Sequence, residues 1–206
     1  MRTILVTGFG PFPGAPHNPT AALVARLVRK RRPNVRIVGH VFATEYAAVD
    51  RDLPRLIALH RPDALLMFGL HGRARTLRIE TLARNMLGRH RDAGGRYAQT
   101  HAIVPGATHA RMITPAARLV RAAQRTGALA VLSRDAGSYL CNYLCWRGTE
   151  AAKAGPRFAA FVHVPPVARK AQRRGSRRLR DASLERAATA MLAELGGCLG
   201  LAATRA

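Results

Sequence analysis

Short apolar runs and amphipathic stretches alternate along this chain. Apolar runs bounded by turn residues predict β-strands, and they lie at residues 3–6, 36–42, 64–68, 128–132 and 158–164. Apolar positions at helical spacing predict α-helices, and they lie at residues 21–28, 46–59, 115–125, from about 138 onwards, and 183–195. Strands that alternate with helices favour an α/β fold with a largely parallel sheet and helices on both faces.

Two stretches depart from this alternation. Residues 77–83 form a further extended segment, which carries Glu80 among apolar neighbours. Residues 84–107 are rich in turn residues, and their pattern assigns them to no particular element. No linker divides the 206 residues, a length that suffices for one substantial core, so we expect a single domain over residues 1–206. The first apolar run is too short for a signal peptide or a membrane span, and we expect neither.

The chain carries a formal charge of +23, which raises nucleic acid as a partner. The charge is spread over many arginines, with local runs at residues 29–32 and 169–180, and the second run is the one credible basic patch. That patch contains no aromatic side chain on which a base could stack. We therefore expect a solvated loop and no nucleic-acid partner, with a polyanion-binding site as the alternative.

The three cysteines fit neither a disulfide framework nor a paired Cys-x-x-Cys site, so we expect a reduced, cytoplasmic protein without a metal. Cys141 follows a small-residue turn and stands in the first turn of a predicted helix, where unpaired N–H groups and the helix dipole favour a thiolate. His163 ends an apolar run, and beside Cys141 it would give a cysteine hydrolase. The alternative is that Cys141 is a buried apolar filler, as we expect for Cys145 and Cys198.

The glycine-rich turn after the first strand does not predict a nucleotide site. Gly8-Phe9-Gly10 continues as Pro-Phe-Pro, and it lacks both the dinucleotide spacing and the Lys-Ser/Thr ending of a phosphate-binding loop. His71 has no partner histidine at metal-binding spacing and reads as a loop histidine. We therefore expect no cofactor.

Four separated segments together resemble pyroglutamyl peptidase type I, a family of cysteine peptidases also called pyrrolidone-carboxylate peptidases. The order and spacing of these segments agree with the family over nearly the whole chain. They are residues 6–12 with Asn18-Pro19-Thr20, residues 79–85, residues 136–142 and residues 161–165. The resemblance implies a three-layer α/β/α sandwich around a mostly parallel twisted sheet. It also implies a cytoplasmic enzyme, assembled as a homo-tetramer, that removes N-terminal pyroglutamyl groups from peptides.

By resemblance, three residues form a catalytic triad. Cys141 matches the nucleophile, His163 the general base and Glu80 the acidic member that would orient the imidazole. As an isolated residue, Glu80 could equally be a surface carboxylate.

The resemblance also assigns residues to a substrate pocket. Phe9 and Phe12 match aromatic residues that form a flat slot for the pyrrolidone ring, although Phe12 could instead plug the core. Tyr139 matches an aromatic position near that ring. Asn18 would orient the loop or reach the ligand, and it also suits a helix cap. Leu70 stands where many family members have a glutamine, so a hydrogen bond to the ligand would be missing.

The family has an arginine about ten residues after the glutamate that helps to stabilise the oxyanion. Here Arg89 and Arg91 are both candidates, and the backbone N–H of Cys141 is a further donor. Two other functions stay open: a related amidase with altered acyl specificity, which Leu70 would permit, and an inert basic protein that binds polyanions.

Overall fold

The computed structural model describes residues 1–12, 14–168 and 179–203. It contains eight strands in the described residues, which are β1 (Arg2–Phe9), β2 (Val35–Phe42), β3 (Ala64–Leu70), β4 (Leu77–Glu80), β5 (Leu82–Arg84), β6 (His109–Arg111), β7 (Ala130–Ser133) and β8 (Phe158–Val164). The helices of the described residues are α1 (Pro19–Val28), α2 (Tyr46–His60), α3 (Ala116–Gln124), α4 (Leu140–Ala152) and α5 (Asp181–Ala203).

Six strands form the central sheet in the order β2-β1-β3-β8-β4-β7. Every neighbouring pair is parallel except β4 and β8, which are antiparallel. The second sheet is the antiparallel pair of β5 and β6. Strands β1 and β3 are almost wholly buried, because layers cover both faces of the sheet, and this explains their continuous apolar sequence.

Helices cover both faces of the central sheet. One core cluster contains side chains of α1, α3 and α5, and the other contains side chains of α2 and α4. Alternate residues of each strand supply the two clusters, as Leu66 and Leu65 of β3 do. The predicted three-layer sandwich with a mostly parallel sheet is confirmed.

Two elements differ from the sequence expectation. The extended segment 77–83 is divided between two sheets at Thr81, since β4 pairs with β7 and β8 in the central sheet and β5 pairs with β6 in the second. Helix α5 continues past the glycine pair at 196–197, where we expected an end at residue 195. Gly196 packs close to Val35 and Ile4, and Leu199 is buried, so tertiary packing overrides the helix-breaking tendency of the glycines.

Of the unassigned stretch 84–107, Arg84 is the last residue of β5, and residues 85–108 contain no helix or strand. The side chain of Asn85 organises this segment: its amide donates to Val104 O and Ala107 O, and its oxygen accepts from the N–H groups of Ile103 and Val104. These bonds fix a long irregular segment that covers one end of α4.

The basic patch at 169–180 lies outside the described residues except for Leu179 and Arg180. No helix in the described part of the chain is long and apolar enough to cross a membrane.

Candidate active site

Cys141 is the second residue of α4, in the first helical turn as predicted. The chain enters the helix through Gly137, whose φ of +80° favours glycine, and through the extended backbone of Tyr139 at the N-cap. No side chain caps this end. The first-turn N–H groups, that of Cys141 included, therefore point towards the space in front of the helix.

Glu80 and His163 meet on one face of the sheet. Antiparallel pairing sets Glu80 opposite Phe161 and Arg78 opposite His163, so Glu80 lies diagonally across from His163. Glu80 Oε1 lies 2.8 Å from His163 Nδ1, and the two side chains are 0% and 3% exposed. A carboxylate bonded to Nδ1 holds the imidazole with Nε2 directed away from it. Glu80 is thus not a surface carboxylate.

The Cys141 thiol lies against the imidazole of His163. Burial lowers the pKa of His163, but the charge and hydrogen bond of Cys141, followed by those of Glu80, outweigh it and raise the pKa to about 9. At neutral pH the imidazole is therefore a cation when the thiolate is present. The three residues form a continuous Cys141–His163–Glu80 chain.

Gly69 makes room for the nucleophile. It stands beside His163 in the parallel pairing of β3 and β8. A Cβ built at residue 69 would lie 2.6 Å from Cys141 Sγ and 2.6 Å from Phe161 Cζ. Any other residue here would displace the sulfur. The sequence signal is a glycine inside a buried strand, which marks a close approach of other atoms.

Arg78 lies beside the carboxylate of Glu80. Its Nε lies 3.8 Å from Glu80 Oε1, and its Nη2 donates to Ser133 Oγ (2.8 Å). Glu80 Oε2 is buried and accepts no hydrogen bond from a described residue. The buried carboxyl group therefore has two basic neighbours, the guanidinium of Arg78 and the imidazole of His163.

A cavity of about 1040 Å³ opens in front of Cys141 and His163. Phe12, Leu70 and Tyr139, which the resemblance assigned to the substrate pocket, line this cavity. The rings of Phe12 and Tyr139 lie 6.4 Å apart at 52°, so they are tilted walls and not a parallel slot. The Tyr139 hydroxyl donates to Arg91 O (2.9 Å), and burial raises the pKa of this phenol to about 12.

Two predicted pocket residues lie elsewhere. Phe9 is only 2% exposed and packs against Phe42 in the core, and the described residues that line the cavity do not include it. It points inward because β1 is buried on both faces. Asn18 caps α1 by accepting from Thr20 N (3.1 Å), and its amide donates to Gly10 O (3.1 Å). Asn18 therefore orients the loop and does not line the cavity.

The two candidate arginines differ. Arg91 lines the cavity, but its guanidinium donates to Gly95 O (3.1 Å) and lies 4.8 Å above the ring of Tyr97. Arg89 is exposed and is not among the described lining residues. The described contacts direct neither guanidinium to Cys141.

The sequence indicated no role for Asn142 and only a loop histidine at His71. The buried amide of Asn142 donates to Arg84 O (2.7 Å) and Met86 O (3.0 Å), and its oxygen accepts from Arg84 N (2.8 Å). This fixes the segment after β5 to the nucleophile helix. His71 lines the cavity beside His163. The described residues contain no group of three His, Cys, Asp or Glu side chains placed to hold a metal ion.

Known proteins are similar to this chain in sequence and in fold. Residues 2–194 match the pyroglutamyl peptidase family. A pyrrolidone-carboxylate peptidase of Pyrococcus furiosus is 31% identical over 168 residues, which cover 80% of this chain and 81% of that protein. Pyrrolidone-carboxylate peptidase 1 of Ralstonia nicotianae is 32% identical over 169 residues, with 80% and 79% covered. The structure of pyrrolidone carboxyl peptidase from Thermococcus litoralis has the same fold, with a TM-score of 0.85 at 24% identity over 94% of this chain and 93% of that one. The chain therefore belongs to the pyroglutamyl peptidase family of cysteine peptidases.

Proposed function

We propose that this protein is a cysteine exopeptidase that removes N-terminal pyroglutamyl groups from peptides. The observation that carries the proposal is the Cys141–His163–Glu80 chain at the floor of a cavity, with the sulfur at a helix N-terminus. The names of its relatives in the family support the same substrate.

The reaction begins with Cys141 as a thiolate beside the imidazolium of His163. The sulfur attacks the carbonyl carbon of the pyroglutamyl group, and the carbonyl electrons move onto oxygen. The N–H of Cys141 stabilises this oxyanion. When the tetrahedral intermediate collapses, the C–N bond breaks and His163 gives its proton to the leaving amine.

A thioester now joins Cys141 to the acyl group. His163, neutral after the first step, takes a proton from water as the water oxygen attacks the thioester carbon. The C–S bond then breaks, free pyroglutamate leaves, and the thiolate–imidazolium pair is restored. Glu80 holds Nδ1 throughout, so that Nε2 always faces the sulfur.

Phe12 and Tyr139 supply aromatic surface for the pyrrolidone ring of the substrate. A neutral five-membered lactam gains from apolar contact with rings, and its carbonyl and N–H need only one or two polar partners. Leu70 adds apolar surface but no hydrogen bond. This observation favours a second candidate, an amidase of the same mechanism that accepts other small acyl groups.

A panel of acyl amides tests the two candidates. Purified protein is given fluorogenic amides of pyroglutamate, proline, acetate and glutamate, with Cys141→Ala as the matched blank. We expect thiol-dependent release from the pyroglutamyl amide at a kcat/KM at least about tenfold above the others. Faster release from another acyl amide would support the second candidate, and release from none would contradict both.

We also propose that the protein works in the cytoplasm as a homo-tetramer. The free state of all three cysteines supports a reducing compartment. Light scattering of the purified protein measures the assembly directly, and a monomer at micromolar concentration would contradict the tetramer.

A further inference from the structure

Two histidine rings meet at the floor of the cavity. The ring of His71 lies 5.3 Å from the ring of His163, centroid to centroid, at an angle of 84°. Both rings line the cavity together with Cys141. His71 is held by its backbone, since its N–H donates to Val164 O (2.9 Å) and its carbonyl accepts from Ala74 N (3.0 Å). A second imidazole is therefore fixed beside the reacting groups.

In the proposed reaction a side-chain donor near the sulfur would stabilise the oxyanion further, and the described contacts of the two candidate arginines do not direct them there. Arg91 is engaged by Gly95 and Tyr97, Arg89 is not among the described lining residues, and Leu70 has no polar atom. Arg73 and His90 also line the cavity, but both are exposed, and neither is in ring contact with His163 among the described residues. Among the described polar side chains that line the cavity, that of His71 has its ring in contact with the ring of His163.

The two histidines differ in charge at neutral pH. Burial, followed by the positive charges of His163 and Arg78, lowers the pKa of His71, against the opposing effects of a hydrogen bond to its own backbone and of the charge of Glu80. His71 is therefore neutral while His163 is an imidazolium. A neutral imidazole keeps one ring N–H. It can donate a hydrogen bond without adding a second cation next to the thiolate–imidazolium pair.

We propose that His71 donates a hydrogen bond to the acyl oxygen of the substrate as that oxygen becomes the tetrahedral oxyanion. This inference rests on the proposed function. His71 and the backbone N–H of Cys141 then form the oxyanion site together, and His163 is left free to move the proton. The donor comes from the position next to Leu70, in the turn that directly follows β3.

Three variants separate hydrogen bonding from packing. His71→Phe keeps an aromatic ring against His163 and loses the donor, and His71→Gln keeps an N–H donor and loses the ring. His101→Phe, at an exposed histidine, is the matched control. Because loss of one oxyanion donor typically lowers turnover by about 10²-fold or more, we expect that loss in kcat for His71→Phe. His71→Gln should stay within about tenfold of the wild type, and the control should not change.

A second readout uses pyroglutamyl aldehyde. The Cys141 thiol adds across its C=O bond, forming a C–S bond and an O–H group in a hemithioacetal that resembles the tetrahedral intermediate. The affinity of His71→Phe for this aldehyde should fall in the same proportion as kcat, while its affinity for 2-pyrrolidone, which has no reacting carbonyl outside the ring, should change less than about twofold.

Wild-type kcat and aldehyde affinity in His71→Phe would overturn the proposal, since they would assign His71 to packing alone. Equal losses in His71→Phe and His71→Gln would also overturn it. A wild type that is inert towards pyroglutamyl amides would instead contradict the proposed function. The aldehyde series would still test His71, because hemithioacetal formation requires only the thiol and an oxyanion donor.

Discussion

Cys141 and Cys145 lie one turn apart on the same helix, yet the structure gives them opposite environments. Cys141 is partly exposed to the cavity, within the first turn, and against His163. Cys145 is 0% exposed in the core, and burial raises the pKa of its thiol well above the usual value. Residue type and helix are the same. Because a helix start, an adjacent base and access make a thiol reactive, we expect Cys141 to react and Cys145 to stay inert.

Removing each sulfur in turn should give the largest difference in activity between the two cysteines. Cys141→Ala should lower kcat/KM for a pyroglutamyl amide by at least about 10⁴-fold, because it removes the nucleophile. Cys145→Ala should leave kcat/KM within about threefold and lower the free energy of unfolding by roughly 1–2 kcal/mol, the order expected for a small buried group. Initial rates and urea denaturation measure the two effects.

Alkylation reports on the same contrast without mutation. After brief treatment with limiting iodoacetamide, mass spectrometry should find the label on Cys141 and not on Cys145 or Cys198, both of which are buried. Preferential label on Cys198 would contradict the assignment of Cys141 as the reactive thiol.

The carboxylate that orients the base should have the next largest effect. Glu80→Gln should lower kcat by roughly 10³-fold, since an amide can hold the imidazole in the wrong tautomer and cannot stabilise its charged form. The matched control is Glu150→Gln, in the last turns of α4, where the carboxylate binds Trp146 and Arg147 far from the cavity. We expect wild-type kcat for that control. Combined with Cys141→Ala, Glu80→Gln should add almost no further loss, because triad members act as a unit.

Two glycine substitutions test the difference between the surroundings of Cys141 and Cys145 by adding one methyl group near each. In Gly69→Ala the new methyl group would meet Cys141 Sγ at 2.6 Å, and we expect roughly a 10²-fold loss of kcat from the displaced sulfur. In Gly148→Ala it would meet the flexible end of Met67, near Cys145, at 2.7 Å. Met67 can move aside, so kcat should stay within about twofold. Equal activity of the two variants would show that the sulfur tolerates displacement.

The smallest effect is the pH dependence. Because the pKa of His163 is raised to about 9, its proton is present at neutral pH and is lost as the pH rises through about 9. The general acid disappears with it, and kcat/KM should fall by about tenfold per pH unit above that value. By linkage, the stabilisation of the folded state from this raised pKa is present below pH 6.5 and lost over the same rise. A profile of kcat/KM that stays flat from about pH 8 to about pH 10 would contradict the assignment.

Local patterns in the sequence predicted most elements of this fold. Continuous apolar runs identify strands that are buried on both faces, as in β1 and β3, and helical spacing with the Asn18 cap identifies α1. The position of Cys141 in a first turn also follows locally, from the small residues that precede it. These features depend on neighbours along the chain, so one sequence suffices to predict them.

The site itself depends on residues that are distant in sequence. The antiparallel pairing of β4 with β8 brings Glu80 to His163, and nothing local in either strand specifies that pairing. Likewise, the family resemblance assigned Phe9 to the pocket, but burial of β1 on both faces directs it into the core. His71 and Gly69 gained their places beside Cys141 only through the order of strands in the sheet. Because propensity and periodicity are local, the sequence alone predicted most of the helices and strands and the place of Cys141 in the first turn of a helix. The tertiary structure decided which side chains meet, because packing and strand order join residues far apart in the chain.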